Sequence, residues 1–203
     1  MSRGPAALVG LMLALVGLTA ACSTSTTKAP YIDPAAAGVI GLCDRSGHSI
    51  RSGTTGAAPF VWRAVSSVAA TAPYSGPGRT ATLMAYQPRQ GVPPGQWSGA
   101  LLTTSSQYSN PAHPMSQLTD GDLPLSDFLS TFPARWHGFI QLRLYLGAPG
   151  VPNRTATYAA ADLRISGNKW TVVRGGDADC TAGTATSMET VLLGTPTTTP
   201  RSS

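Results

Sequence analysis

The sequence predicts an all-β fold: a single β-sandwich of immunoglobulin-like or jelly-roll type carrying one short helix, with a small β-barrel as the alternative. Three observations carry this reading. Apolar and polar residues alternate at a period of two through several segments, the repeat of a half-buried strand. Charged residues make up only 11% of the chain, against about 25% in an average soluble domain. Thr, Gly and Pro fill the difference, with 22 Gly and 17 Pro, a composition that favours strands and turns over long helices. Turn clusters separate the alternating segments: Ser75-Gly76-Pro77-Gly78, Gly91-Val92-Pro93-Pro94-Gly95 and Gly147-Ala148-Pro149-Gly150.

Residues 38–180 hold the predicted sandwich. Phe60-Val61-Trp62-Arg63-Ala64-Val65 is a strand with Arg63 outward. Between Arg79 and Tyr86, Thr80, Thr82, Met84 and Tyr86 alternate with Ala81, Leu83 and Ala85. One segment departs from period two. Leu125, Phe128, Leu129 and Phe132 recur at helical spacing, Pro133 stops them, and Asp122 is placed to cap the start of the helix. The clearest strand runs from Phe139 to Gly147, with Ile140, Leu142, Leu144 and Leu146 on the core face and Gln141, Arg143 and Tyr145 on the other. Residues 155–165 form one long strand or two short ones. Gly167-Asn168 then permits a two-residue hairpin turn, with Trp170 to Val173 returning. Val191-Leu192-Leu193 gives a last short strand. Outside the domain, residues 22–37 form a Ser/Thr/Pro/Ala tether and residues 181–203 a Thr/Pro-rich tail, neither rich enough in apolar residues to pack. No internal repeat is visible.

Residues 1–21 have the makings of a secretory signal: Arg3 near the start, a small and apolar run from Ala6 to Leu18, and small residues ahead of a cut. The run is shorter than the roughly 20 apolar residues that span a bilayer, and nothing later in the chain is apolar enough to do so. The segment Leu18-Thr19-Ala20-Ala21-Cys22, followed by Ser23-Thr24-Ser25-Thr26-Thr27, resembles the signal of bacterial lipoproteins, in which small residues precede the cysteine that takes the lipid. It departs from the commonest form in having Thr19 where leucine is usual, with Leu18 one place further back. The resemblance implies that Cys22 is the lipidated first residue of the mature protein, anchored on the outer face of the cell membrane. The folded region is also similar to secreted actinobacterial lipoproteins of unknown function, through Gly41-Leu42-Cys43-Asp44, Pro59-Phe60-Val61-Trp62-Arg63-Ala64-Val65 and Gln141-Leu142-Arg143-Leu144-Tyr145-Leu146-Gly147-Ala148-Pro149-Gly150. That likeness transfers no activity and no site. A chain whose lysines are Lys28 and Lys169 and whose sole glutamate is Glu189 fits the GC-rich genome of such a source.

With Cys22 carrying lipid, Cys43 and Cys180 remain of the three cysteines. In the oxidising surroundings of an exported protein they are expected to form a disulfide between the two ends of the folded region.

The formal net charge is +5. The arginines are scattered singly with no adjacent basic run, so no linear footprint for nucleic acid exists, although a positive surface suits contact with anionic lipid or wall polymers. Catalytic signatures are thin. Gly47-His48-Ser49 lacks the closing glycine of a nucleophile elbow. Ser166-Gly167-Asn168-Lys169 has the Ser-x-x-Lys spacing but falls in a hairpin turn. His48, His113 and His137 lie far apart, without metal-ligand spacing. Apart from Asp177 and Asp179, Asp120, Asp122 and Asp127 form the one carboxylate cluster, and it could offer some of the oxygens calcium needs, with a polar loop and a helix cap at Asp122 as the competing reading. Aromatic residues near turns are the remaining lead: Trp97 in its Gly/Pro/Ser-rich loop, Tyr108, and Trp136 between Arg135 and His137 are candidate ligand-binding side chains. The competing reading puts Trp62, Trp136 and Trp170 in the core. The expectation is therefore an extracytoplasmic binding domain without a cofactor, its partner a wall glycan or a surface protein. A hydrolase and a structural spacer are the alternatives.

Replacing Cys22 by Ala is expected to release or misprocess the protein. Membrane fractionation checks this, and an unchanged acyl-bearing membrane product would contradict it.

Overall fold

A computed structural model describes residues 28–193. The expected signal at 1–21, Cys22, the start of the expected tether and the end of the expected Thr/Pro-rich tail lie outside the described residues. In chain order the elements are β1 (Ala36–Cys43), β2 (Ser49–Ile50), β3 (Ser52–Thr54), β4 (Arg63–Ser66), β5 (Thr80–Tyr86), β6 (Gly99–Leu101), β7 (Ser106–Tyr108), β8 (Met115–Gln117), α1 (Leu125–Thr131), β9 (Phe139–Ala148), β10 (Val151–Ser166), β11 (Lys169–Arg174), β12 (Ala185–Ser187) and α2 (Met188–Leu193).

The fold is all-β, and its strands form one sheet nearly closed into a barrel. The order is β12-β7-β5-β9-β10-β1-β4-β8, with β6 on β5, β2 on β1, and β11 linking β10 to β3. Every pairing is antiparallel except β1 on β10. The path nearly closes where β8, at one end, approaches β12 and β7 at the other. There the Ser106 hydroxyl accepts the Gln117 N–H at 2.9 Å and donates to the Gln117 carbonyl at 3.3 Å. A side chain thus satisfies backbone groups that a continuous ladder would have paired.

The core fills the inside of this curved sheet. Ile140, Leu142, Leu144 and Leu146 of β9 point inward with Ala81, Leu83 and Ala85 of β5 and Ala159, Ala161 and Leu163 of β10, the alternation read from the sequence. β10 is one long strand, and Ser166 pairs with Lys169 across the Gly167–Asn168 turn. Trp170 is fully buried and meets Phe60 edge-on. The helix α1 is present and adds Leu125 and Phe128 to the same core.

Cys43 and Cys180 are bonded, with Cα atoms 5.9 Å apart and 137 positions between them in sequence. The bond ties the end of β1 to the segment leading into β12.

Several expectations are corrected. Asp122 does not cap α1, whose N-cap position is Pro124 with no side-chain bond. Its carboxylate instead accepts from Thr119 N–H and the Thr103 hydroxyl. Residues 191–193 are helical, not a strand, and Val191, Leu192 and Leu193 are exposed. The strand expected over 60–65 begins only at Arg63; Phe60 and Val61 are buried ahead of it. The packed chain also extends beyond 38–180, because Tyr31, Asp33 and Ala36 pack at one end and β12 at the other.

In the chain-entropy description, closing a loop of this length removes about 5 kcal/mol of freedom from the unfolded chain, with typical measured effects of about 2–4 kcal/mol. Reduction, or Cys43→Ser with Cys180→Ser, is therefore expected to lower the melting temperature by at least about 5 °C. Calorimetry with and without reductant checks this.

Candidate binding groove

The side of β9 that faces away from the barrel core decides where a ligand can sit. Cross-strand register lays two rows across β5, β9 and β10: Tyr86, Gln141 and Asp162, then Met84, Arg143 and Ala160. Alternation alone would leave Gln141, Arg143 and Tyr145 in water. They are buried instead, because the segment carrying Tyr31 and Asp33 and the loop ending at Trp97 fold over them.

Arg143 sits at the centre of this second layer with its side chain 3% exposed. Its Nε donates to Gln141 Oε1 at 2.7 Å and its Nη2 to the Pro94 carbonyl at 2.9 Å. The carboxylate of Asp33 lies 3.6 Å away and is equally buried. Tyr86, Tyr158 and Trp97 present ring faces to the guanidinium at 4.0, 4.8 and 5.4 Å. A buried charge survives when it is paired, hydrogen-bonded and faced by π-systems, and all three conditions are met. Tyr158 donates to Asp33 at 2.9 Å, while Tyr31 and Gln141 donate to Asp162 at 2.9 and 3.1 Å. Burial pushes Asp162 above the usual carboxylate range against those two hydrogen bonds. It also raises the phenols of Tyr31, Tyr86 and Tyr158. This layer is sealed and its polar groups are committed to one another, so it holds the fold and offers no room for a substrate.

Trp97 belongs to this layer. It is 5% exposed, its indole N–H donates to the Val92 carbonyl at 2.9 Å, and its ring meets Tyr31 edge-on at 4.8 Å. Tyr108 is also buried, and its hydroxyl donates to the Tyr74 carbonyl at 2.6 Å. Neither can stack on a ligand, which corrects both as binding candidates. The loop sequence around Trp97 signals a turn; it carries no sign that the turn folds back on the sheet. Tyr31, placed by sequence in the tether, is the aromatic that locks Trp97, Trp136 and Phe139 together.

Trp136 is only partly buried and lines an open groove of about 640 Å³, within the size range of small-molecule sites. The groove lies between the segment after β5 and the α1–β9 connection. Arg89, Arg135 and His137 stand around it, and no acidic side chain lines it. Among the described residues neither Arg89 nor Arg135 has an ion-pair partner. Gln87 pins the rim by donating from its amide to the Pro133 carbonyl. His137 adopts a left-handed backbone (φ 52°) and Gly138 follows at 78°. A Cβ at Gly138 would come within 2.7 Å of the Ile165 carbonyl oxygen, so the turn needs glycine there. A non-glycine residue in this region costs of order 1 kcal/mol, and such positions concentrate at binding sites. Here the turn aims His137 outward beside Arg135.

The aspartates do not gather. Asp120 pairs with Arg45, which holds its carboxyl below the usual range and itself lies 4.1 Å over the Trp62 ring. Asp122 is taken by Thr103 and Thr119, and Asp127 stands on α1 beside Ser126. Among the described residues no group of three or more His, Cys, Asp or Glu side chains converges on a metal-sized site. Nor is any described helix long and apolar enough to cross a membrane. Comparison with protein-family models, curated proteins and solved structures gives no match to the chain.

Every raised tyrosine keeps its proton in the folded state at a pH where the unfolded chain, with an ordinary value of about 10, gives it up. Above pH 10 the native state binds more protons than the unfolded one, so stability falls as pH rises. Tyr108 is among them, raised to about 12. With Lys28 and Lys169 the chain's two lysines, tyrosines dominate this range. The urea midpoint is expected to drop steeply between about pH 10 and 11.5. The Tyr31→Phe variant should lose stability less steeply, by up to about 1.4 kcal/mol per pH unit. Equal slopes would contradict the burial of this phenol.

Proposed function

We propose that the protein is an exported lipoprotein, held on the outer face of the membrane by lipid on Cys22, and that its β domain binds an anionic extracellular ligand in the groove of Arg89, Arg135, Trp136 and His137. Wall glycans and acidic surface proteins are the partner classes that supply such a group. The observation that carries this reading is the contrast among arginines. Arg143 is fully committed inside the fold, whereas Arg89 and Arg135 flank an open groove without acidic lining or ion-pair partners. Two guanidiniums beside an indole suit a carboxylate or phosphate carried on a ring or chain. Binding, not turnover, is proposed because among the described residues no hydrogen bond joins the Ser98 or Thr131 hydroxyl of the groove to His137.

The test uses the mature protein and polygalacturonate as a carboxylated glycan at low salt, followed by tryptophan fluorescence. Binding is expected, weakened about two- to fivefold by Arg89→Gln or Arg135→Gln singly, since solvent-exposed ion pairs contribute up to about 1 kcal/mol. Added salt should weaken it further. Affinity unchanged in the double variant would remove the groove as the site, and consumption of the glycan would replace binding by catalysis.

A further inference from the structure

The groove does not end at its cationic rim. Thr131 and Phe132 line it on one side and also line a second hollow of about 180 Å³ on the other. That second hollow is an apolar shelf. Leu101 at the end of the edge strand β6 is 61% exposed and Leu123, just before α1, is 67% exposed. Phe128 and Phe132 form its floor, their rings 5.2 Å apart. Asp127 is its one charged side chain. Two large aliphatic side chains held in water above an aromatic floor give a small uncovered apolar surface next to the cationic groove. Charge complementarity selects the occupant. Thr131 and Phe132 are shared with the groove that Arg135 and Arg89 line, so a molecule lying along both surfaces needs an anionic group at one end and an apolar chain at the other.

We propose that the ligand is a monomeric anionic amphiphile: its head lies between Arg89 and Arg135 against Trp136, and its chain crosses Phe132 onto Leu101 and Leu123. This rests on the anion-binding reading of the groove and adds the chemical class of what is attached to the anion. A purely hydrophilic glycan would leave Leu101 and Leu123 exposed, and a neutral lipid would leave the two arginines unanswered.

The test measures binding of the full mature protein to inorganic sulfate and to butyl, octyl and decyl sulfate below their micelle concentrations, with octyl glucoside as the neutral counterpart. Near-UV circular dichroism verifies that the fold persists. Affinity is expected to rise up to about fourfold per methylene over the length the shelf covers. Leu101→Ser with Leu123→Ser should flatten the chain-length dependence and leave sulfate binding intact; both positions are exposed, so the fold does not depend on them. Arg89→Gln with Arg135→Gln should abolish the preference for octyl sulfate over octyl glucoside. If inorganic and decyl sulfate bind equally, the amphiphile proposal falls while the anion groove stands. If octyl glucoside binds the native protein as tightly as octyl sulfate, the anionic head is refuted. If no sulfate binds in an arginine-dependent way, the groove reading fails and takes this proposal with it.

Discussion

The burial of one guanidinium organises this molecule. Arg143 stands on the outward face of the strand at the middle of the sheet, where alternation would let it reach water. Once covered, it must have a counter-charge, acceptors and ring faces at hand, because truncating the partner of a buried charge costs about 3–5 kcal/mol. Each requirement recruits a different part of the chain: Asp33 from ahead of β1, Pro94 and Trp97 from the loop between β5 and β6, and Tyr86 and Tyr158 from the flanking strands. The second layer is consequently a polar and aromatic lid on a sheet whose other face is mostly aliphatic, with Trp170 and Tyr108 among its core side chains. Fixing this lid also fixes Tyr31, and Tyr31 supports Trp136 at the groove.

Local pattern exposed the first layer and hid the second. The leucines of β9, the two-residue turn at Gly167–Asn168 and the short helix before Pro133 follow from spacing, and spacing is a local property. Which segment covers an outward face is a non-local matter. Tyr31 and Asp33 lie in a stretch of small and turn-forming residues with no periodicity, and their partners lie 131 and 125 positions away in sequence. A clue existed in β9 itself: Phe139 and Tyr145 share the face of Arg143, an unusually aromatic surface to leave in water. The error at residues 191–193 has another cause. Three apolar residues cannot distinguish one turn of helix from a short strand, and here the Ser187 hydroxyl oxygen accepts the Glu189 N–H at the helix start.

The site shows the same division. Trp136 between Arg135 and His137 was visible as a cluster because the three are adjacent in sequence. Arg89 was not, since only the fold brings it to the same groove. Trp97 and Tyr108 show why loop aromatics mislead: a turn-rich sequence marks a reversal of the chain, and a reversal is an efficient way to lay a ring back onto a sheet. Both rings end with their polar atoms satisfied by carbonyls, the arrangement expected of buried aromatics with a polar handle.

Two kinds of arginine therefore divide the labour. Arg143 has its hydrogen bonds filled by the protein, and the cost of desolvating it is met within the fold. Arg89 and Arg135 remain hydrated and uncommitted, on a frame made stiff by the first. For the proposed ligand this arrangement lowers one cost of binding, the ordering of the receptor. The backbone turn at His137 and Gly138 is anchored by Phe139 N–H to the Trp136 carbonyl at 3.0 Å and by Ile165 N–H to the Gly138 carbonyl at 2.7 Å. The opposite rim is held by Gln87. What a ligand still has to order is two arginine side chains, and the apolar shelf beyond Phe132 supplies a separate, non-directional source of affinity that needs no ordering of Leu101 or Leu123 into a new backbone position. In the proposed mode of binding the tasks are separate, with charge selecting the head and apolar area setting the strength. The two contributions come from side chains on different elements, and the groove meets the buried network through Trp136, against which Tyr31 packs.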